Sequence, residues 1–172
     1  MHIEEGSGFV VMTMERTGSS NPPREFVGLV YIAAVAAEVD ETVQSQLDPY
    51  PTDIFGRVQV SDGCLWMQPN APECFAGDLS AAEQKLIFAT HDAPVADLFQ
   101  QQKLTDIAWK SKPSWYLIAQ QDRTVHPELQ RFLAGRMKAT VTETNTSHVP
   151  LLSKPEVVLG VIRQAAASVA AK

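Results

Sequence analysis

The sequence predicts an α/β fold: parallel sheet strands with flanking helices, interrupted by a helical insertion. Three observations lead there. The run Phe26-Val-Gly-Leu-Val-Tyr-Ile-Ala-Ala34 is continuously apolar and rich in β-branched and aromatic residues, the pattern of a strand covered on both faces. The last third alternates strand, helix, strand, helix, which points to βαβ crossovers. Between them, residues 35–112 are broken by Pro49, Pro51, Pro69, Pro72 and Pro94, and this stretch is too long to be a bare loop.

The elements follow in order. Residues 1–25 are polar and rich in Gly, Ser and Pro, apart from Phe9-Val-Val-Met-Thr-Met14. That run fits either a strand or a turn of amphipathic helix, and periodicity does not choose between them. Gly18-Ser-Ser-Asn-Pro-Pro23 reads as a loop. Within the insertion, Ser80-Ala-Ala-Glu83 is a capping box and predicts a helix over 81–90. Pro94 stands where a first-turn proline would open another, through about Gln102. Ser114 to Gln121 is a predicted strand, Pro127 opens a helix ending near Met137, and Thr140 to Thr144 is a β-branched strand. Ser153-Lys-Pro-Glu156 forms a second capping box, opening a helix to about Ala170. Its residues Val157, Val158, Val161, Ile162, Ala165 and Val169 make a core-facing stripe at helical spacing.

At 172 residues the chain fits one domain, organised as an atypical segment 1–25, a core of 26–34 and 113–172, and the insertion 35–112. The net charge of −6 and pI near 5.1 argue against nucleic acid as a partner, because phosphate binding needs a basic face. Met1-His-Ile-Glu-Glu5 does not read as a signal peptide. The longest apolar run, 26–37, falls short of the ~20 residues that cross a bilayer, so no membrane association is expected. Cys64 and Cys74 form no CxxC pair and are expected to stay reduced in a cytoplasm, with a disulfide between them as the alternative. The four histidines are scattered without HxxxH spacing, so neither a metal nor a cofactor is expected.

Chemistry concentrates near the C-terminus. Trp115-Tyr-Leu-Ile-Ala-Gln-Gln-Asp122 is a strand that releases an acid at its carboxyl end, and Thr146-Ser-His148 releases a histidine after the next strand. An acid and then a histidine at successive strand ends is the second half of a Ser…Asp…His set. The plain alternatives are an aspartate that starts a turn and a loop histidine. Trp66, Met67 and His91 are candidates for lining an apolar substrate pocket, with His91-Asp92 as an exposed pair at a helix end the alternative. Trp109 is expected at the junction of insertion and core, Trp115 inside the sheet, His126 at the start of a helix, and both cysteines in packing roles.

These stretches, together with Val27-Gly-Leu-Val-Tyr-Ile-Ala-Ala34, Trp109 to Glu128, and Ser147-His-Val-Pro-Leu-Leu-Ser-Lys-Pro155, carry a resemblance. Over residues 26–170 the chain resembles the C-terminal portion of α/β-hydrolase-fold esterases, the branch of small bacterial hydrolases related to plant methylesterases and hydroxynitrile lyases. The resemblance implies a partial α/β-hydrolase fold, with 27–34 as the sixth strand, 35–112 as a cap over the active site, and 114–121 and 139–145 as the seventh and eighth strands. It implies carboxylic-ester hydrolysis with Asp122 as the triad acid and His148 as the base. It also implies that the N-terminal half carrying the nucleophile elbow is absent. The candidate nucleophile is Ser7 in Glu4-Glu-Gly-Ser-Gly-Phe9, where the two glycine positions of a Gly-x-Ser-x-Gly turn are held by Glu5 and Phe9. The expected partner is a small ester-like molecule. An exposed sheet edge at 27–34, or at whatever strand lies beside it, predicts a homo-oligomer, with 9–14 as a substitute edge strand. Competing readings are an inactive relative that serves as a binding or oligomerisation module, and one half of a two-chain hydrolase.

Overall fold

The structure, a computed structural model, describes residues 2–6, 9–15, 26–100 and 107–170, the first two stretches as backbone alone. In chain order, β1 (His2–Gly6), β2 (Phe9–Glu15) and β3 (Phe26–Ile32) come first. The insertion then carries α1 (Val43–Leu47), the hairpin β4 (Val58–Ser61) and β5 (Cys64–Met67), α2 (Pro72–Phe75) and α3 (Ala81–Thr90), with 3-10 turns at Asp53–Arg57, Ala96–Phe99 and Ala108–Lys110. The chain returns through β6 (Ser114–Ala119), α4 (Pro127–Arg136), β7 (Thr140–Thr144), α5 (Pro150–Ser153) and α6 (Pro155–Ala170).

The main sheet has the order β1-β2-β3-β6-β7. β3, β6 and β7 are mutually parallel, with Leu29 opposite Ser114 and Trp115 opposite Thr140. β6 lies at the centre of this parallel part, and all six of its residues are buried. Its side chains alternate between two cores, as strand geometry requires. Tyr116 and Ile118 pack with Leu29, Tyr31 and the α4 residues Leu129, Leu133 and Ala134. Trp115 and Leu117 pack on the other side with Val30, Ile32 and the α6 residues Val158, Val161 and Ala165. The continuous apolar runs thus reflect helices on both faces, and Trp115 sits in the sheet as expected.

The 9–14 run, left open between strand and helix, is the strand β2. It pairs antiparallel with β3, Val10 opposite Ile32, and β1 pairs antiparallel with β2 in turn. The edge of β3 is therefore covered from within the chain, and among the described residues the edges of the sheet are β1 and β7. An exposed edge at 27–34 itself is not found, because β2 already takes those hydrogen bonds.

Several boundaries differ from the sequence reading. β6 stops at Ala119 rather than Gln121 because Asp122 N–H turns back to the Ala119 carbonyl (3.3 Å). Pro94 opens no α-helix: Val95 bridges to Cys64, which draws it into extended backbone, and only the short turn Ala96–Phe99 follows. Residues 101–106, the end of that expected helix, lie outside the described residues. Ser153 does not cap α6, because it is the last residue of α5. The hairpin β4–β5 was not anticipated. It turns at Asp62-Gly63, both with positive φ (51° and 75°), the backbone that an Asp-Gly turn supplies. By contrast, α3 has its full capping box: Ser80 Oγ accepts from Glu83 N–H and the Glu83 carboxylate accepts from Ser80 N–H. Cys64 and Cys74 are free thiols. No described helix is long and apolar enough to cross a membrane.

The two-faced core makes a graded prediction. Leu133→Ala, at a site with no exposure, costs about 2–5 kcal/mol in urea denaturation, whereas Leu86→Ala, 62% exposed, stays within about 0.5 kcal/mol. Equal costs would contradict the placement of α4 against the sheet.

Candidate active site

The site is built where the parallel strands end. β3 leaves the sheet through Ala33, whose φ of 47° is costly for a residue with a Cβ. The next carbonyl, Ala34, accepts the buried Tyr116 hydroxyl, which fixes this turn to the core. Burial, reinforced by the charge of Asp122, pushes that hydroxyl well above its usual range, so it remains a donor. Beyond β6 and β7 the two loops are stitched together: Gln120 N–H donates to the Thr144 carbonyl (2.9 Å) and Gln121 N–H to that of Thr146 (3.0 Å).

These loops bring Asp122 and His148 together. His148 Nδ1 lies 2.8 Å from Asp122 Oδ2, and their side chains are 3% and 0% exposed. Asp122 Oδ1 accepts from the backbone N–H groups of Thr124 (2.7 Å) and Val125 (3.0 Å). A buried carboxylate is tolerated only when paired and hydrogen-bonded, and this one is. Its two backbone bonds make the turn that a plain reading assigns to it, so turn-former and histidine partner are one arrangement. With Nδ1 turned to the carboxylate, any proton transfer by this ring would run through Nε2.

The sequence reading missed Gln130. Fully buried on α4, it donates from Nε2 to Asp122 Oδ2 (2.8 Å) and to the Val125 carbonyl (2.7 Å). Its Oε1 accepts from Ala119 N–H (2.9 Å). One amide thus joins the end of β6, the following turn and the carboxylate. The signal was present: Gln130 stands on the same helical stripe as Leu129, Leu133, Ala134 and Met137, where a polar residue needs a buried partner. His126, as expected, starts α4, its Nδ1 accepting from Glu128 N–H (3.2 Å).

The insertion lies against this pair. The Phe75 ring stands 5.0 Å from that of His148, tilted by 57°. The Ser147 hydroxyl donates to the Asp78 carboxylate. Partial burial pushes the Asp78 carboxyl up, but hydrogen bonds from side-chain hydroxyls, Ser147 first among them, and from backbone N–H groups together outweigh it and hold the group below its usual range. Thr52 Oγ1 donates to the Thr124 carbonyl (3.1 Å), and Arg123 pairs with Asp53.

A cavity of about 350 Å³ opens between insertion and sheet ends, lined by Leu65, Met67, Phe75, His91, Thr124 and His148 among others. Of the three candidate pocket residues, Met67 and His91 are on this lining. Trp66 does not line it: side chains alternate along β5, so Leu65 and Met67 face the cavity and Trp66 instead packs edge-on against the His91 ring (5.6 Å). Trp109 sits at the junction, its Nε1–H donating to the Ala37 carbonyl (3.4 Å). Neither cysteine lines the cavity, and burial pushes the Cys74 thiol up, away from the thiolate a nucleophile needs. Ser7 lies outside the described residues. Among the described residues, no three His, Cys, Asp or Glu side chains gather as a metal would require.

Two variants test this construction. Gln130→Leu keeps the volume but strands the Ala119 N–H and strips a donor from Asp122, costing about 1–3 kcal/mol in urea denaturation; a neutral result would mean the network carries no stability. Asp78→Asn tests the Ser147 tie through pH. Because the folded Asp78 carboxyl titrates below its usual range, its stabilisation is complete above the ordinary aspartate value of about 4 and is lost as pH falls through the lowered value. The gap in urea midpoint between wild type and variant therefore narrows on acidification through that window, and a gap that widens there has the wrong sign.

Comparison with known proteins follows this geometry. No curated protein sequence matches the chain. Among solved structures, a pyrethroid hydrolase superposes with a TM-score of 0.67 at 20% identity, over 84% of this chain and 62% of its own. Polyneuridine aldehyde esterase gives 0.65 at 16%, over 78% and 60%. An extracellular alpha/beta-hydrolase from a Paenibacillus species gives 0.57 at 16%, over 79% and 60%. The chain thus spans about 60% of the length of these structures, and at such identities the likeness is one of fold. The family model of the alpha/beta hydrolases matches residues 6–161. The chain belongs to the alpha/beta hydrolase family.

Proposed function

We propose that Asp122 and His148 are the acid and base of a carboxylic-ester hydrolase site whose substrate occupies the apolar cavity. One observation carries the reading: the 2.8 Å contact between His148 Nδ1 and Asp122 Oδ2, buried at the ends of adjacent parallel strands, with the His148 ring on the cavity wall. In such a site a serine oxygen attacks the ester carbonyl while His148 Nε2 takes its proton. Asp122 holds the tautomer and stabilises the imidazolium. Collapse of the tetrahedral intermediate expels the alcohol, which takes the proton back from Nε2, and water then repeats the sequence to release the acid. The names borne by two structural neighbours, a pyrethroid hydrolase and an aldehyde esterase, agree with this chemistry.

Ser7 is the candidate nucleophile. β1 runs in the direction of β3 and ends at Gly6, and Gly6 pairs with Phe9. This pair stands at the end of the sheet from which the Asp122 and His148 loops emerge. A second reading has its own support. A nucleophile elbow joins a strand to a helix, whereas Phe9 begins the antiparallel strand β2. On that reading the protein binds a small apolar molecule beside an idle acid–base pair.

Fluorophosphonate labelling followed by peptide mass spectrometry decides between them. The first reading expects one labelled serine, with the labelling rate down at least ~100-fold in His148→Ala. A folded chain that takes no label, or labelling indifferent to His148, establishes the second.

A further inference from the structure

Among the described residues, Gln130 is the one replaceable donor on the Asp122 carboxylate. Thr124 and Val125 N–H bind Oδ1, while Gln130 Nε2 and His148 Nδ1, each at 2.8 Å, share Oδ2. A carboxylate offers about four lone-pair sites, so these donors fill it. Two of them belong to the backbone and one is the imidazole itself. Gln130 alone can be exchanged with both the turn and the imidazole left in place. The backbone fixes which end of its amide donates. Ala119 N–H can only give a hydrogen, so the atom 2.9 Å away is Oε1. The Val125 carbonyl can only accept, so the atom 2.7 Å from it is Nε2. One Nε2 hydrogen goes to Val125, and the other therefore points at Asp122 Oδ2. Gln130 is fully buried, and its α4 neighbours Leu129 and Leu133 anchor it in the core. Sharing one oxygen couples the two donors. A hydrogen bond from Gln130 draws on the same oxygen charge that would hold an imidazolium. Nδ1 faces a carboxylate and keeps its hydrogen whether the ring is neutral or charged, so the proton that comes and goes is on Nε2.

We propose that Gln130 is a positioning residue for the acid–base pair: it pins Asp122 Oδ2 beside His148 Nδ1 and tempers how tightly the imidazole holds its Nε2 proton. The role rests on the reading that Asp122 and His148 are the acid and base of the site. A base works best when its proton affinity lies near the working pH. A carboxylate whose Oδ2 answered to the imidazole alone would hold that proton more tightly, and Oδ2 would be free to swing with the ring. The other titratable and charged groups around His148 make no bond to Gln130. Asp78 binds Ser147 beside it, Arg123 pairs with Asp53, and the Tyr116 hydroxyl donates to the Ala34 carbonyl. His91 and Asp92 share the cavity lining with it. A substitution at Gln130 therefore reaches the imidazole through Asp122.

A pH titration of the histidine ring nitrogens by NMR, on the whole nitrogen-15-labelled chain, tests this without any catalytic step. His148 should hold its proton about three- to tenfold more tightly in Gln130→Leu, its titration midpoint moving to higher pH. Leu133→Ala, on the same helix and of comparable cost to stability, is the control and keeps the wild-type midpoint. Should Gln130→Leu fail to fold, the side-chain amide of Gln130 in the wild-type chain gives the answer, its resonances following the His148 titration with the same midpoint. An unmoved midpoint, an equal move in Leu133→Ala, or an amide silent through that titration overturns the proposal. Serine labelling that depends on His148, beside an unmoved midpoint, removes the role of Gln130 alone. A raised midpoint in a chain that takes no label leaves Gln130 in this role on a pair that performs no ester hydrolysis.

Discussion

The Asp122 carboxylate is the constraint on which the site depends. It is buried at the end of the most deeply buried strand, and such a charge persists only if donors surround it. Thr124 and Val125 N–H, the Gln130 amide and the His148 imidazole take that place. Each donor comes from a different requirement of the fold: the tight turn after β6, the packing of α4, and the loop after β7. The chemistry of the pair and the closure of the sheet's carboxyl end are therefore one structural problem with one solution. The same charge helps hold the Tyr116 hydroxyl protonated, which secures the turn after β3.

The insertion is pinned to this centre rather than laid loosely over it. Asp78 binds Ser147 beside the histidine, Phe75 packs on the histidine itself, and Thr52 and Asp53 hold the loop after the aspartate. The cavity walls are thus shared between two parts of the chain that contact each other through the loops carrying Asp122 and His148. Isolated exposed ion pairs such as Arg123 with Asp53 add little to stability. Their value here is positional.

The sheet and its helices were legible in the sequence wherever burial was strong. The apolar run at 26–32, the stripe on α6 and the capping box of α3 each have a single physical reading, and the structure contains all of them. Asp122 and His148 were legible because strand ends mark where side chains can emerge. The misses share a cause: they depend on partners remote in sequence. Val95 is extended because Cys64 lies beside it, and Ser153 ends a short helix instead of capping a long one. Trp66 was assigned by residue type, whereas the alternation of β5 decides which way it faces. The Asp62-Gly63 turn was a local signal within a stretch read as helical. Gln130 stood in plain view on an apolar stripe, but its role needs the three-dimensional position of Ala119 and Asp122. β1 has no hydrophobic pattern, and only pairing with β2 defines it.

The bond from Tyr116 to Ala34 spans 82 residues of sequence, nearly all of them in the insertion. Loop-closure entropy rises only logarithmically, by about 0.6 kcal/mol for each doubling of length. The length of the insertion is therefore almost free to drift over evolutionary time without unfolding the sheet, provided its few anchors to the loops carrying Asp122 and His148 survive. The cost falls on the search instead, since long-range parallel pairing is slow to form. In this architecture the region that shapes the cavity is the region whose size the fold constrains least, and what it trades for that latitude is time spent reaching the native pairing of β3 with β6.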